Sequence, residues 1–300
     1  MNASLPASFN IGLALLLAPL LGSLIARTKA FFAGRQGPPL LQPYFDLVKL
    51  LRKGAVYSAA TTWIFRAGPI LTLATTVVAL LLVPTAGHSA AVAFPTDFIL
   101  LAYLLALGRF FTISAALDTA SSFEGMGASR EAHFAALAEP TLMLGLAALA
   151  RKTGALSLSQ ILPATSLLAP EVGLVAVALA VVLLCENARM PFDDPTTHLE
   201  LTMVHEVMVL DHGGPDFACV QYAAAVKLWL WSALLSSLFM PAVPGNASLA
   251  ALLSIAGVFA VACAVGVVES TTARLRLLRV PHLLATALAL TAVALILVVR

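Results

Sequence analysis

Charge is what this sequence lacks. Of its 300 residues, 11% are Asp, Glu, Lys or Arg, against 60% hydrophobic. Soluble domains carry about 25% charged and roughly 45–50% apolar residues. So few charges cannot cover a water-facing surface of this size. A soluble enzyme, a disordered chain and a nucleic-acid-binding domain are therefore excluded. Cysteine is scarce too. Cys185, Cys219 and Cys263 lie far apart and form no C-x-x-C pair, which argues against an iron–sulfur or zinc site within the chain. There is no phosphate-binding glycine loop and no H-E-x-x-H, since His205-Glu206 lacks a second His four positions on. No catalytic centre, metal or cofactor is expected in this chain.

What is present is a series of long apolar runs. Mean hydropathy is +0.97. Runs near spanning length lie at residues 9–26, 63–84, 96–117, 132–150, 171–186, 218–240, 248–268 and 281–299, the fifth being short. About 20 residues of helix cross roughly 30 Å of hydrocarbon. Turn formers punctuate the gaps, as at Gly154 and Pro281. The alternating ~10-residue segments of a β-barrel do not occur. The fold class expected is all-α: a polytopic transmembrane bundle of about eight spans, one integral membrane domain over residues 1–300.

Basic residues set the expected orientation. No positive charge precedes the first run, whereas Arg27 and Lys29 follow it, which are the wrong flanks for a cleaved signal. Arg35, Lys49, Arg52, Lys53 and Arg66 share the first loop. Arg130, Arg189, Arg274, Arg276 and Arg279 fall in later odd loops, while the even loops hold only Arg151 and Lys152. By the positive-inside rule the odd loops are cytoplasmic and both termini lie outside. Most acids also lie on the inner side, the clear exceptions being Asp97 and Glu171. Lipid attraction does not gather acids, so the inner face reads as a docking surface for a soluble protein.

Some charges lie at membrane depth. Arg109, Glu139 and Lys227 are well inside spans, and Glu186 and Glu269 sit near inner ends. A mid-span charge costs about 2.5–3.5 kcal/mol on insertion scales, so such groups face one another or internal water rather than lipid. Two readings are open: a path of proton-exchanging carboxylates, or fixed ion pairs such as Glu139 with Arg109. For Glu139, followed by Pro140, the proton path is favoured.

The loops carry further signals. After Gly37-Pro38-Pro39, an amphipathic helix over about 43–53 is expected to lie on the inner membrane surface. The long fifth loop, about 187–216, is acidic. A helix over Thr196–Leu210 would put His198, His205 and His212 near one face, as a docking surface or a funnel for protons with Glu200 and Glu206. In the third loop Gly125 and Gly127 allow tight turns. Arg130 and Glu131 then begin the fourth span, an unfavourable place for a cation unless it has a partner.

Four segments together resemble one family: GRQGPPLLQPYFDLVKLL, GASREA followed by Glu139-Pro140, ENARMPFDDPTTHLEL, and ARLRLLRVP. They are similar to the membrane subunit shared by respiratory complex I and the NiFe hydrogenases of the formate hydrogenlyase and hydrogenase 4 type. The resemblance implies eight spans and inner surface helices in a bacterial or archaeal cytoplasmic membrane. It implies a peripheral arm of hydrogenase-like large and small subunits with iron–sulfur proteins, which would hold the clusters and a NiFe centre, and antiporter-like neighbours in the membrane. Here Thr196 and His198 stand where complex I usually has glutamates, and Glu200 remains. That departure disfavours a quinone chamber and favours the hydrogenase 4-like branch. The expected role is non-catalytic: docking the redox arm and coupling electron transfer to proton or sodium movement. The alternatives are a quinone-site subunit of a complex I-type enzyme and a stand-alone secondary transporter. Expected path residues are Glu139, Glu200, Glu206, Glu186, Glu269, Lys227 and Arg109. Expected arm contacts are Arg35, Gln42, Asp46, Lys49, Arg130, Glu131, Arg189 and Asp193.

Overall fold

A computed structural model of the chain describes residues 7–84, 89–166, 169–193, 203–239 and 247–300. All regular structure among these residues is helical. In hydrocarbon every backbone N–H and C=O must be paired within its own segment, which a helix achieves without neighbours. The helices are α1 (Ala7–Phe32), α2 (Gln42–Leu51), α3 (Trp63–Leu82), α4 (Asp97–Asp118), α5 (Ser122–Thr153), α6 (Leu158–Ala164), α7 (Pro170–Glu186), α8 (Gly214–Phe239), α9 (Ala247–Thr271) and α10 (Val280–Val299).

Seven of them, α1, α3, α4, α5, α8, α9 and α10, are long and apolar enough to cross a membrane. The eighth expected run, α7, has 17 residues. At 1.5 Å per residue it extends only about 26 Å, the lower limit for a span. It is nonetheless enclosed, packing against α5, α8 and α10, with Val172, Val175, Ala178 and Val182 fully buried.

Two expectations change at α5. The helix begins at Ser122, ten residues before the expected span, and runs for 32 residues to a left-handed Gly154 at φ 67°. Gly125 and Gly127 are therefore helical, not turn residues. Arg130 lies in the third helical turn rather than at a helix start, so the expected clash with the helix dipole does not arise. Gly127 is needed for close approach. A Cβ there would fall 2.3 Å from Val207 Cγ1 and 2.9 Å from the Val204 carbonyl oxygen, in the segment that crosses α5. That segment, 203–212, contains a single 3-10 turn at Glu206–Val209 rather than the later half of an α-helix. Residues 194–202, with Thr196, His198 and Glu200, lie outside the described residues.

The first loop forms a helix where the pattern suggests one. α2 starts with Pro43 in its first turn, and none of its residues is buried. Phe45, Val48 and Leu51 form an exposed apolar stripe, while α1 and α8 flank the other side. Tyr44 donates from its hydroxyl to the Leu16 carbonyl of α1. The short α6 was not foreseen. Asp97, fully buried at the start of α4, accepts from Ser157 Oγ at 2.6 Å and from the Leu158 N–H at 2.8 Å, and so caps it.

Gly127→Leu is expected to destabilise the protein by about 1–3 kcal/mol, the usual range for overpacking. A lowered thermal unfolding midpoint in detergent checks this. Gly125→Ala, with only Leu117 Cδ2 near its Cβ position at 3.9 Å, serves as the tolerated control.

Candidate functional site: a buried charge cluster

Four helices bring their charges to one place. Arg109 of α4 is 8% exposed. Its Nε lies 3.0 Å from Glu131 Oε1 of α5. Its Nη1 pairs with Glu139, also of α5, and its Nη2 with Glu186 at the end of α7. Lys227 Nζ of α8 takes the other Glu186 oxygen at 2.7 Å. A planar guanidinium presents several donors in a fixed fork, which suits it to hold three carboxylates at once. Burial disfavours each of these charges alone; paired and hydrogen-bonded they are tolerated.

The exposure of the three carboxylates differs. The side chains of Glu131 and Glu186 are 7% and 5% exposed, that of Glu139 is 43%. Glu139 is therefore the open member of the three.

On its other side, Glu131 Oε2 meets His205 Nε2 at 3.1 Å. His205 Nδ1 lies 3.6 Å from Asp193 Oδ2. Asp193 also accepts the N–H groups of Val204 and His205, each at 3.1 Å, and the Arg274 Nη2 at 2.8 Å. Arg130 donates to the Met203 carbonyl at 2.9 Å. The result is a continuous series of contacts from the loop face, Arg274–Asp193–His205–Glu131–Arg109, that forks to Glu139 and to Glu186–Lys227. Burial works against the imidazolium, but Glu131 and Asp193 outweigh it and raise the His205 pKa to about 9. Burial likewise opposes ionised Asp193, yet His205 and the two backbone N–H groups hold its carboxyl below the usual range.

A cavity of about 80 Å³ adjoins this series, lined by Thr72, Thr76, Thr112, Arg109, Glu131, His205 and Lys227 among others. Thr72 Oγ1 lies 3.1 Å from Thr112 Oγ1, and both hydroxyls donate to the Gly108 carbonyl. A polar space of this size holds a few water molecules, each taking roughly 30 Å³.

Glu269 belongs to a second set. It is 6% exposed and pairs with Lys29 of α1 at 3.0 Å and with Arg189 at 3.5 Å. The short segment 187–193 joins the two sets, sending Arg189 to Glu269 and Asp193 to His205.

The expected residues sort accordingly. Arg109, Glu139, Glu186 and Lys227 come together. Glu206, half-buried, begins the 3-10 turn next to His205, and Glu200 is outside the described residues. Arg35 and Lys49 are exposed, and Gln42 donates to Asp46 at 2.9 Å along α2. Two of the expected arm contacts are buried. Glu131 and Asp193, 5% and 3% exposed, are turned inward by Arg109, His205 and Arg274 and have no surface to offer a partner. Arg189 is committed to Glu269. His205 and His212 also part company: His212 stacks on Phe65 of α3 at 4.0 Å. The sequence pattern did not reveal His205 as a member of the cluster, nor Arg274, Lys29 and the threonines. Thr72, Thr75, Thr76 and Thr112 inside apolar spans were a visible sign of an internal polar lining. Among the described residues, no three His, Cys, Asp or Glu side chains converge as a metal site requires.

An all-helical bundle with several candidate spans and a largely buried charge cluster defines a multi-pass membrane protein. The NADH dehydrogenase family matches residues 7–300. The chain is 29% identical to formate hydrogenlyase subunit 4 of Escherichia coli (strain K12) over 272 residues, 87% of each chain. It is 31% identical to hydrogenase-4 component C of the same organism over 285 residues, 89% of this chain and 87% of the other. A chain of the membrane-bound sulfane sulfur reductase, an archaeal respiratory membrane complex, superposes with a TM-score of 0.85 over 98% of both chains at 22% identity, a likeness of fold. The protein belongs to the NADH dehydrogenase family, among the membrane subunits that include these two hydrogenase-type relatives.

Two outcomes follow from the cluster. Arg109→Ala leaves three carboxylates without their shared cation and is expected to cost about 3–5 kcal/mol, as breaking buried pairs does; folded yield and melting temperature in detergent measure it. His205 has a folded pKa of about 9 against an ordinary 6.5. Its stabilisation is therefore full below about pH 6.5 and lost as pH rises through about 9. The protection factors of the 203–209 amides, corrected for the intrinsic rise of exchange with pH, should fall over that window, and His205→Gln should remove that fall.

Proposed function

We propose that this protein is the non-catalytic membrane subunit of a hydrogenase 4-like respiratory complex, where it docks a soluble redox arm and couples electron transfer to proton movement. The observation that carries the reading is the unbroken series of contacts from Arg274 and Asp193 at the loop face to Glu139 at the side of the bundle. A change of charge at the loops alters the pull on His205, then on Glu131, then on Arg109, and so the hold of Arg109 on Glu139.

The loop face is the cytoplasmic one on this reading, with both termini outside. The arm contacts are Arg35, Gln42, Asp46, Lys49 and Arg130, while Glu131, Asp193 and Arg189 act beneath the surface. The redox centres belong to the arm.

The direction of proton movement follows from packing. Towards the outer face, beyond the cavity, come the fully buried Leu80, Leu82 and Leu101, a dry layer that offers a proton no partner. Glu139 is the polar group open to the side. A carboxylate facing lipid at this depth is expensive, so a neighbouring membrane subunit of the antiporter-like kind covers it and takes the proton onward. This packing disfavours a stand-alone transporter.

Glu139→Gln is expected to abolish redox-driven proton movement in vesicles while the complex still assembles with its full set of subunits. Unchanged coupling in an assembled Glu139→Gln complex refutes the reading.

A further inference from the structure

We propose that the groove between α7 and α9 binds an anionic phospholipid, with a hydrocarbon chain in the groove and the headgroup on Arg276 and Arg279. The inference rests on the membrane class of the chain and not on the coupling reading. α7 and α9 each pack on α8 or α1 and hardly on each other. Between them lies a space of about 370 Å³, walled by Leu183 and Leu184 of α7, Leu235 and Phe239 of α8, and Val261 and Val265 of α9, among others. Walls this apolar give water no partner, so the space stays dry. It opens to the side of the bundle, where Phe239, Ala260 and Ala264 are exposed on its rim. Its lining on α9 runs from Gly257 to Val268, roughly 16 Å of helix at 1.5 Å per residue. Spread over that length, the volume leaves a slot narrower than a helix, which measures about 10–12 Å across with its side chains. A hydrocarbon chain fits it; a span of a neighbouring subunit does not.

The charge at the loop-side end selects the headgroup. Val268, the last α9 residue of the lining, precedes Glu269, which pairs with Lys29 at 3.0 Å and with Arg189 at 3.5 Å. The chain leaves α9 at Thr271 and enters α10 at Val280. α10 packs on α7, so residues 272–279 cross the loop-side end of the groove. They are tied to the segment after α7 by the Leu275 N–H, which donates to the Pro191 carbonyl at 3.0 Å, and by Arg274 on Asp193 at 2.8 Å. Five cations gather there, Lys29, Arg189, Arg274, Arg276 and Arg279, against the two acids Glu269 and Asp193. Arg276 and Arg279 are exposed, and they flank Leu278, which is 85% exposed. Cations beside an exposed apolar side chain belong at the headgroup boundary, where basic pockets between spans take anionic headgroups. The guanidinium fork matches the oxygens of a lipid phosphate. The groove alone would take any lipid chain; the arginines make the site prefer an anionic one.

The test uses the full chain, purified with its bound subunits and placed in phosphatidylcholine nanodiscs. The probe is phosphatidylglycerol with a photoactivatable diazirine on its acyl chain, and a phosphatidylcholine probe with the same chain is the reference. Adducts are mapped by mass spectrometry. Labelling of residues 257–268 by the phosphatidylglycerol probe is expected to exceed that by the reference roughly tenfold, the scale set by two arginines at an anionic headgroup. Arg276→Gln with Arg279→Gln is expected to bring the two probes level. Ala260→Leu with Ala264→Leu, which fills the groove from its rim, is expected to lower labelling of this segment by both probes roughly tenfold. Equal labelling by the two probes in the wild type overturns the proposal. So does an unlabelled 257–268 segment, the result expected if a protein subunit covers the groove. A preference that survives in the arginine variant, or labelling that survives in the filled groove, overturns it as well. If the filled variant does not assemble, the wild-type and arginine-variant proteins decide by the same criteria.

Discussion

The organisation of this bundle depends on one guanidinium. Arg109 gathers carboxylates from two helices and, through Glu186, a lysine from a third. Each of those charges alone would resist burial, with an effective penalty of several kcal/mol per ion. Together they compensate, but only if α4, α5, α7 and α8 hold one relative height and rotation. Hydrocarbon gives spans no hydrophobic reason to associate. Here the polar interior supplies the reason, and close packing of α5 on the 203–209 segment at Gly127 fixes the distance.

The same compensation makes the site responsive. In a low-dielectric interior a change at one group is felt by its neighbours far more strongly than in water. The contacts are serial, so a change at Asp193 acts on His205 before it acts on Glu131 and Arg109. A rigid apolar bundle would not transmit that change, and a solvated one would screen it. The small cavity beside Arg109, with three threonines in its lining, lies between those limits and has room for a few water molecules.

The height of the cluster was legible in the sequence, but its azimuth was not. Counting residues from span ends put Arg109, Glu139 and Lys227 at depth and Glu186 near an inner end. A helix apolar on every side carries no amphipathic stripe to say which way a given charge faces, so the pairing of Arg109 with Glu139 remained one of two readings. Glu131 and Asp193 show the converse error. Their places near loop boundaries suggested a surface role, whereas tertiary contacts with Arg109, His205 and Arg274 turn them inward. Gly127 misled for a related reason. Glycine signals a turn locally, but here it is a helical residue that makes room for a crossing chain. His205 was visible as one of three histidines at sevenfold spacing, a pattern that drew attention to a helical face and away from the one ring that bridges two acids. The amphipathic pattern of α2, by contrast, was read correctly from Tyr44 to Leu51, because a surface helix carries its two environments in its own sequence.

The asymmetry of the three carboxylates bears on what the chain is for. Two are sealed within it and the third is 43% exposed. If the cluster served stability alone, burying all three would be the cheaper arrangement for a chain of this apolar composition. An open carboxylate on a shared cation makes sense where a neighbour completes the site. On the reading proposed above, Glu139 is the boundary across which the chain hands on its charge, and the energetic unit is larger than the chain. The buried part of the cluster then has the complementary task of keeping Arg109 in place while the outer contact changes. Glu186 is suited to that task, because Lys227 holds its second oxygen whatever Arg109 does with the first.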